Sequence, residues 1–322
     1  MESLKLLFWI SASLVLYIYI GYPLLIYIIA QCVPQKETKA GALPDCELII
    51  VGYNEAHNLQ GKIQSILNSD AIDSVIKIHI ASDGSTDETA SVLAGFNDPK
   101  IMHHPFTERR GKPAVLNELV PQIEAEIVVL TDARQTLSSN AIAKLLSRFA
   151  DQKTGVVSGE LVFCEDEEST AAAKGLNVYW VYEKFIRNAE GKVASVSGAT
   201  GALYALRKDL FKTIPENTIL DDMAIPFQAV FQGARCVFES GAHAYDKASS
   251  SAEKESIRKR RTLAGNLQLI GLFPRLLIPF ANPIWLQFMS HKALRLISPF
   301  LLGLILYIAI AIREQSLYQL LL

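Results

Sequence analysis

The chain has 322 residues, 50% hydrophobic and 20% charged, with a formal net charge of -2 and a mean hydropathy of +0.22. That length builds a core without disulfides or structural metal, and so small a charge excludes a global attraction to nucleic acid, leaving anion binding to local clusters. Cys32, Cys46, Cys164 and Cys236 show no C-x-x-C spacing, which argues against a zinc or redox pair and fits a reducing compartment.

Residues 6–35 carry no charge, and residues 6–30 are dense in Leu, Ile, Tyr and Phe. At about 1.5 Å per residue that run crosses a ~30 Å hydrocarbon core. It is too long for the apolar region of a signal peptide and lacks a small-residue cleavage site. Gly21, Tyr22 and Pro23 mark a kink.

The middle of the chain alternates. "ELIIVG" (47–52), "VIKIHIAS" (75–82), "EIVVLT" (126–131) and "GVVSGELVF" (155–163) read as strands, and helical patterns separate the first three. Such crossovers predict a parallel sheet covered on both faces. The clusters "YNEAHN", "SDGSTDE" and "TDARQ" follow three of these strands and should share one crevice at their carboxyl ends.

Asp83, Gly84 and Ser85 make a tight turn, with Thr86 or Asp87 capping the next helix. An aspartate fixed there accepts hydrogen bonds from a base or ribose, or else forms a plain Asx turn. "RRGKPAVLNEL" sets Arg109, Arg110 and Lys112 at a helix start, a place for phosphate or a solvated basic turn. In "TDARQ", Asp132 is followed two places on by Arg134, where a second carboxylate would indicate a metal site. Asp221 and Asp222 open a helical pattern, one to cap it and the other to point into the crevice as a base for a hydroxyl.

Towards the end, Arg275 is the only charge between residues 263 and 290, and Pro274, Pro279 and Pro283 interrupt the run. It reads as amphipathic helices in the membrane interface, with an apolar core segment as the alternative. "LISPFLLGLILYIAIAI" (296–312) is a second spanning candidate. Lys36 and Lys39 outweigh Lys5 across the first span, and Lys292 and Arg295 outweigh Arg313 across the last, which places residues 44–261 in the cytoplasm. The tail "REQSLYQLLL" is compatible with a further span beyond it.

The series "VGYNEAHNL", "ASDGSTDET", "GKPAVLN", "VVLTDA", "SGATGALYALRK", "ILDDMAIPFQ" and "RKRRT" resembles family 2 of the glycosyltransferases, including cellulose, chitin and hyaluronan synthase-like membrane enzymes. The resemblance covers residues 44–275. It implies a GT-A domain, Rossmann-like with a mostly parallel sheet, at residues 44–261. A transmembrane helix precedes it (1–35); interfacial helices (262–295) and a second transmembrane helix with its tail (296–322) follow.

The resemblance also implies roles. Asp83 matches the aspartate that contacts the nucleoside base, with Tyr53 and Glu55 beside it. Asp132 matches the first aspartate of D-x-D, near the donor diphosphate and a Mg²⁺ or Mn²⁺ ion. With Arg134 in place of the second aspartate, either Asp132 holds the metal with the diphosphate, or Arg134 meets the diphosphate itself, or it forms a structural salt bridge. Asp222 matches the general base, and Asp221 stands where glutamate is usual. Arg258 and Arg261 match the outer positions of Q/R-x-x-R-W, with Thr262 replacing the tryptophan, and Lys112 adds positive charge near the diphosphate. Tyr179, Trp180 and Tyr182, with Gly198 and Gly201, would line the acceptor side, unless the aromatics are simply buried on a helix.

The expected activity is inverting transfer from a nucleotide sugar, a UDP-sugar by preference, to a polysaccharide or oligosaccharide in the inner or plasma membrane. Expected partners are a carbohydrate or glycolipid acceptor, membrane lipid, and polysaccharide-export or synthase proteins. Transfer to a polyprenyl-phosphate lipid is a neighbouring reading. A catalytically dead nucleotide-sugar sensor or scaffold is another, which the joint presence of Asp83, Asp132, Asp222, Arg258 and Arg261 argues against.

Overall fold

The computed structural model describes residues 2–34, 41–164, 171–247 and 252–312. Lys36, Lys39, Arg313 and the tail after it, part of the orientation argument, lie outside the described residues.

Eight strands form one sheet in the order β3-β2-β1-β4-β7-β6-β8-β5. They are β1 (Cys46–Gly52), β2 (Val75–Asp83), β3 (Ile101–Phe106), β4 (Ile127–Asp132), β5 (Thr136–Leu137), β6 (Thr154–Cys164), β7 (Tyr204–Arg207) and β8 (Arg235–Lys247). β1 lies parallel to β2 and β4, β2 to β3, and β6 to β8. β7 runs antiparallel between β4 and β6, and β5 antiparallel to β8. The expected mostly parallel α/β sheet is present.

β1 and β4 are continuous apolar runs because helices cover both their faces. One face packs on Val115, Leu116, Ala224 and Phe227, and the other on Leu59, Ile63, Ile66 and Leu145. The chain leaves β1 towards β2 and β3 on one side and returns to β4 on the other. The strand order therefore switches at the β1/β4 boundary, where Val51 lies opposite Asp132.

Half of the strands are not among those the sequence pattern announces. β3 is a half-exposed edge strand carrying Pro105, which has no N–H to give a ladder. β7 is four residues inside "ALYALRK", a pattern equally good for a helix. β8 alternates in burial, but the β6 partner register jumps from Ser158↔Phe238 to Glu160↔His243, so a bulge over residues 239–242 breaks the period.

Among the described residues two helices are long and apolar enough to cross a membrane, Glu2–Cys32 and Trp285–Ala311. Phe8 packs with Ile308, Ala309 and Ile312 between them, and Tyr17 and Tyr19 hydroxyls bond Ser290 Oγ and Ser298 Oγ at 2.8 and 2.9 Å. The expected irregularity at Gly21–Pro23 is a π-helical turn over Tyr17–Gly21. Pro23 has no N–H for the Tyr19 carbonyl, and the Tyr182 hydroxyl donates to that oxygen instead, at 2.8 Å.

Tyr182 belongs to the helix Ala171–Val193, which joins the sheet domain to the N-terminal rod. Ile186 and Ala189 pack on Tyr22, Ile26 and Ala30, and the Tyr22 hydroxyl donates to Glu190 at 2.6 Å. The helix Ala252–Leu272 passes through residue 262 without a break, and the helical rod Trp285–Ala311 passes through residue 295. The borders expected for the interfacial segment thus fall inside continuous helices. Leu269 and Leu276 anchor this region to the core, whereas Leu263, Leu267, Ile278 and Phe280 are exposed.

Candidate active site

The loops after β1 and β2 are stitched together. The Thr86 amide donates to Asn54 Oδ1 at 2.8 Å, the Asn54 amide to Ser85 Oγ at 3.0 Å, and the Ala56 amide to Asp87 Oδ2 at 3.1 Å. Asp87 also accepts from the Thr89 amide at 3.1 Å, but the cap position of the helix Thr89–Ala94 is Glu88, with no side-chain cap bond, so neither Thr86 nor Asp87 is the expected cap. Tyr53 projects half-exposed, with the Arg109 guanidinium 4.1 Å above its ring. Glu55 accepts from Asn58 Nδ2 at 2.5 Å.

Asp83 is buried at the end of β2. Its two carboxylate oxygens accept from the Arg110 and Gly111 amides at 2.8 and 2.9 Å. It anchors the basic loop with one hydrogen bond on each oxygen. Gly84 has φ +70°, and a Cβ there would meet the Arg109 amide nitrogen at 2.5 Å, so only glycine admits this approach. Arg110 turns outward to Glu118 at 2.7 Å.

The charged centre gathers three carboxylates around one ammonium. Lys112 Nζ lies 2.7 Å from Asp132 Oδ1 and 3.3 Å from Asp221 Oδ2. Burial alone would depress that ammonium, but Asp132 and then Asp221 outweigh it and hold the pKa above the ordinary lysine range. Asp222 Oδ2 accepts from the Gly201 amide at 2.9 Å. Burial and then the charge of Asp221 push the Asp222 carboxyl up to about 6, Asp132 adding to the rise while Lys112 and the Gly201 N–H oppose it. A carboxylate so tuned suits a general base near neutral pH.

Neither aspartate caps its helix. Asp221–Phe231 starts after Leu220 with no side-chain cap, because Asp221 is drawn to Lys112 and Asp222 to Gly201. A Cβ on Gly201 would stand 3.3 Å from Asp222 Oδ2 and 3.5 Å from Asp132 Oδ2, so its small size lets β7's approach come close to both carboxylates. Gly198, at φ +108°, gives way to Met223, 2.8 Å from where its Cβ would be. Both glycines thus lie against the protein's own groups, Gly201 against Asp222 and Asp132 and Gly198 against Met223.

Arg134 pairs with buried Asp246 on β8 beside Gln135. Of the expected alternatives for Arg134, this pair matches the structural salt bridge. Among the described residues no group of three or more His, Cys, Asp or Glu is arranged to hold a metal. Asp132 still fits one: its side chain is 41% exposed, one oxygen meets Lys112, and the other faces Gly201. A hard divalent cation is suited by one such carboxylate completed by phosphate oxygens and water.

Arg258 and Arg261 share the helix Ala252–Leu272. Arg258 lies 5.5 Å over the Phe163 ring, which in turn contacts Trp180 at 5.8 Å between centroids. Arg261 is exposed, and Thr262, in place of tryptophan, turns its hydroxyl back onto the Arg258 carbonyl at 3.0 Å. Tyr179 is exposed, Trp180 has a buried Nε1 with no partner, and Tyr182 is committed to Tyr19.

Sequence reasoning missed Lys62, Thr131, Tyr204 and Phe163. Lys62 had a signal: it interrupts the apolar stripe of Leu59, Ile63 and Ile66, all buried. Tyr204 had none, since its buried, unpartnered hydroxyl depends on β7 lying beside β4.

A family model described as "Glycosyl transferase family 2" matches residues 47–214. The chain is 23% identical over 203 residues to the beta-monoglucosyldiacylglycerol synthase of Nostoc sp., spanning 60% of this chain and 42% of that protein. It is 22% identical over 139 residues to the N-acetylglucosaminyltransferase of Rhizobium leguminosarum bv. trifolii, covering 42% and 76% of the two. The chain therefore spans less than half the length of the first of these relatives. The structure of mannosyltransferase PcManGT from Pyrobaculum calidifontis in complex with GDP-Man and Mn²⁺ superposes with a TM-score of 0.75 at 21% identity, over 96% of this chain and 88% of that one. That likeness gives the strand order its GT-A character, and with the family model covering more than half of its residues, the chain belongs to glycosyl transferase family 2.

Proposed function

We propose that the protein is a membrane-anchored, inverting glycosyltransferase that moves a sugar from a nucleoside diphosphate sugar to an acceptor hydroxyl. The observation that carries this is the placing of Asp222, raised to about 6, across Gly201 from Asp132 and its Lys112 partner. Asp222 takes the acceptor proton, the freed oxygen attacks the anomeric carbon, and the bond to the diphosphate breaks with inversion. Lys112, Arg258 and Arg261 supply positive charge towards the departing diphosphate. Asp132 would hold a Mg²⁺ or Mn²⁺ ion, which when bound neutralises diphosphate charge; the Mn²⁺ that accompanies GDP-Man in the PcManGT complex supports this reading.

The helices Glu2–Cys32 and Trp285–Ala311 anchor the enzyme, with the sheet domain facing the cytoplasm. In this reading residues 44–261 form the catalytic domain and the acceptor approaches beside Tyr179 and Trp180. The acceptor is a growing polysaccharide or oligosaccharide. A lipid-linked acceptor is the second reading, favoured by exposed Leu263, Leu267, Ile278 and Phe280 on the segment that follows Arg258 and Arg261. Purified protein in detergent should release UDP or GDP from one member of a nucleotide-sugar panel in an acceptor-dependent way. The anomeric configuration of the product decides inversion, and its partition into organic solvent decides the acceptor class. No release from any donor would sink the proposal.

A further inference from the structure

Lys62 lies on the helix Ala56–Leu67, and its side chain is wholly buried. Its Nζ donates to Thr131 Oγ1 at 2.6 Å, and that hydroxyl donates to the Ala202 carbonyl at 2.6 Å. The ladder between β4 and β7 ends at Leu130↔Tyr204. The Lys62–Thr131–Ala202 chain therefore bridges the two segments just past their last main-chain rung.

What it bridges is the reacting centre. Thr131 immediately precedes Asp132, and Ala202 immediately follows Gly201, whose amide is held on Asp222. β1 still pairs with β4 as far as Asp132 and the Ala199 amide still holds the Asp222 carbonyl, but beyond Leu130 the β4–β7 ladder has no rung, and the side-chain bridge takes its place between Thr131 and Ala202. An ammonium in this place is costly, since burial drags it down to about 7 against the pull of Asp132, and an apolar side chain of similar length would be cheaper there.

We propose that Lys62 is a positioning residue for glycosyl transfer, which acts through Thr131 and Ala202 to set the separation between the donor-side Asp132 and the base Asp222. The inference rests on the glycosyltransferase function proposed for this site. Displacing a catalytic group by about 1 Å can cost ~10²-fold in rate, so a bridge of this kind affects turnover far more than folding.

The test uses the full-length protein in detergent, with Lys62→Met, Thr131→Val and Thr131→Ser. Lys62→Met and Thr131→Val should each lower kcat at least ~10-fold, with donor KM moving less and Tm equal to or above wild type for Lys62→Met. Thr131→Ser keeps the hydroxyl and should restore kcat to near the parent value. Hydrogen–deuterium exchange over residues 200–203 should quicken in the two damaging variants, while β1 stays protected. Unchanged exchange at those residues overturns the proposal whether or not turnover is found, as does an unchanged kcat, or a kcat loss that tracks a fall in Tm in both variants. If wild type turns over no nucleotide sugar, the enzymatic reading fails, and with it the link to transfer.

Discussion

Lys112 Nζ stands 2.7 Å from Asp132 Oδ1, so the carboxylate at the first D-x-D position is paired with the lysine of "RRGKP". The same ammonium reaches Asp221 and lowers the Asp222 carboxyl against burial and Asp221. Lys112→Met should therefore cost at least ~10²-fold in transfer and move the acid limb of activity to higher pH, since the charge that favours ionised Asp222 is gone. Stability should also change with a definite sign. Without Lys112 the already raised Asp222 carboxyl loses a charge that lowers it, so the loss in Tm should be small near pH 4 and grow towards pH 8. A pH-independent Tm deficit would show that the lysine acts by packing alone.

Asp222 itself gives a simpler pH expectation. A base must be ionised to accept a proton, and its carboxyl lies at about 6, raised chiefly by burial. Turnover should climb about tenfold per pH unit below that value and level off above it. Asp222→Asn should remove the limb and lower transfer by ~10² to 10⁴-fold, with donor affinity little altered, as measured by nucleotide titration. Retained turnover would move the base to Asp221.

The contrast between β4 and β7 explains how much of this was legible in the sequence. Asp83, Asp132 and Asp222 each sit where a strand or helix pattern starts or stops, so periodicity located them, and the parallel order of β1, β2 and β4 brought the first two to one edge. The partners of these groups were not legible. Asp83 bonding the Arg110 and Gly111 amides, Arg134 bonding Asp246 and Thr131 bonding Ala202 join residues 27 to 112 positions apart. The last two pairings follow from β8 and β7 inserting after the parallel half, and neither strand announces itself in its own residues. Helix ends were also misjudged where tertiary charge competed, as when Lys112 and Gly201 drew Asp221 and Asp222 from capping.

Gly84 offers a test of the nucleotide loop that leaves the charged centre intact. Its φ of +70°, and an Arg109 amide nitrogen only 2.5 Å from where a Cβ would stand, make alanine doubly unfavourable. Gly84→Ala should push the 109–111 loop off Asp83 and raise donor KM ~10-fold or more, with strain of about 1–3 kcal/mol visible as a lower Tm. Wild-type KM would mean that the loop does not contribute to donor binding.

Arg134 should behave as a structural residue. Its side chain is 55% exposed while Asp246 is 3% exposed, so the pair is screened on one side only, and Gln135 stays on the carboxylate. Arg134→Ala should cost about 1–2 kcal/mol, read by thermal melting, and leave kcat within about threefold. A ~10²-fold loss of kcat with Tm preserved would return the arginine to the diphosphate.

The metal prediction turns on the same two residues. With Arg134 engaged by Asp246, the guanidinium does not stand in for a cation at the diphosphate, and Lys112 is already shared between Asp132 and Asp221. A nucleoside diphosphate brings further negative charge to a centre that holds three carboxylates, so the proposed metal would serve binding as well as departure of the leaving group. Asp132, its side chain 41% exposed, is the proposed holder, and the diphosphate would provide remaining oxygen ligands. EDTA should therefore abolish transfer, and Mg²⁺ or Mn²⁺ should restore it. Binding of UDP or GDP followed by calorimetry should strengthen with Mn²⁺ in wild type, keep that dependence in Arg134→Ala, and lose it in Asp132→Ala. Full activity in chelator, or a metal dependence that survives Asp132→Ala, would mean that Lys112, Arg258 and Arg261 alone balance the diphosphate.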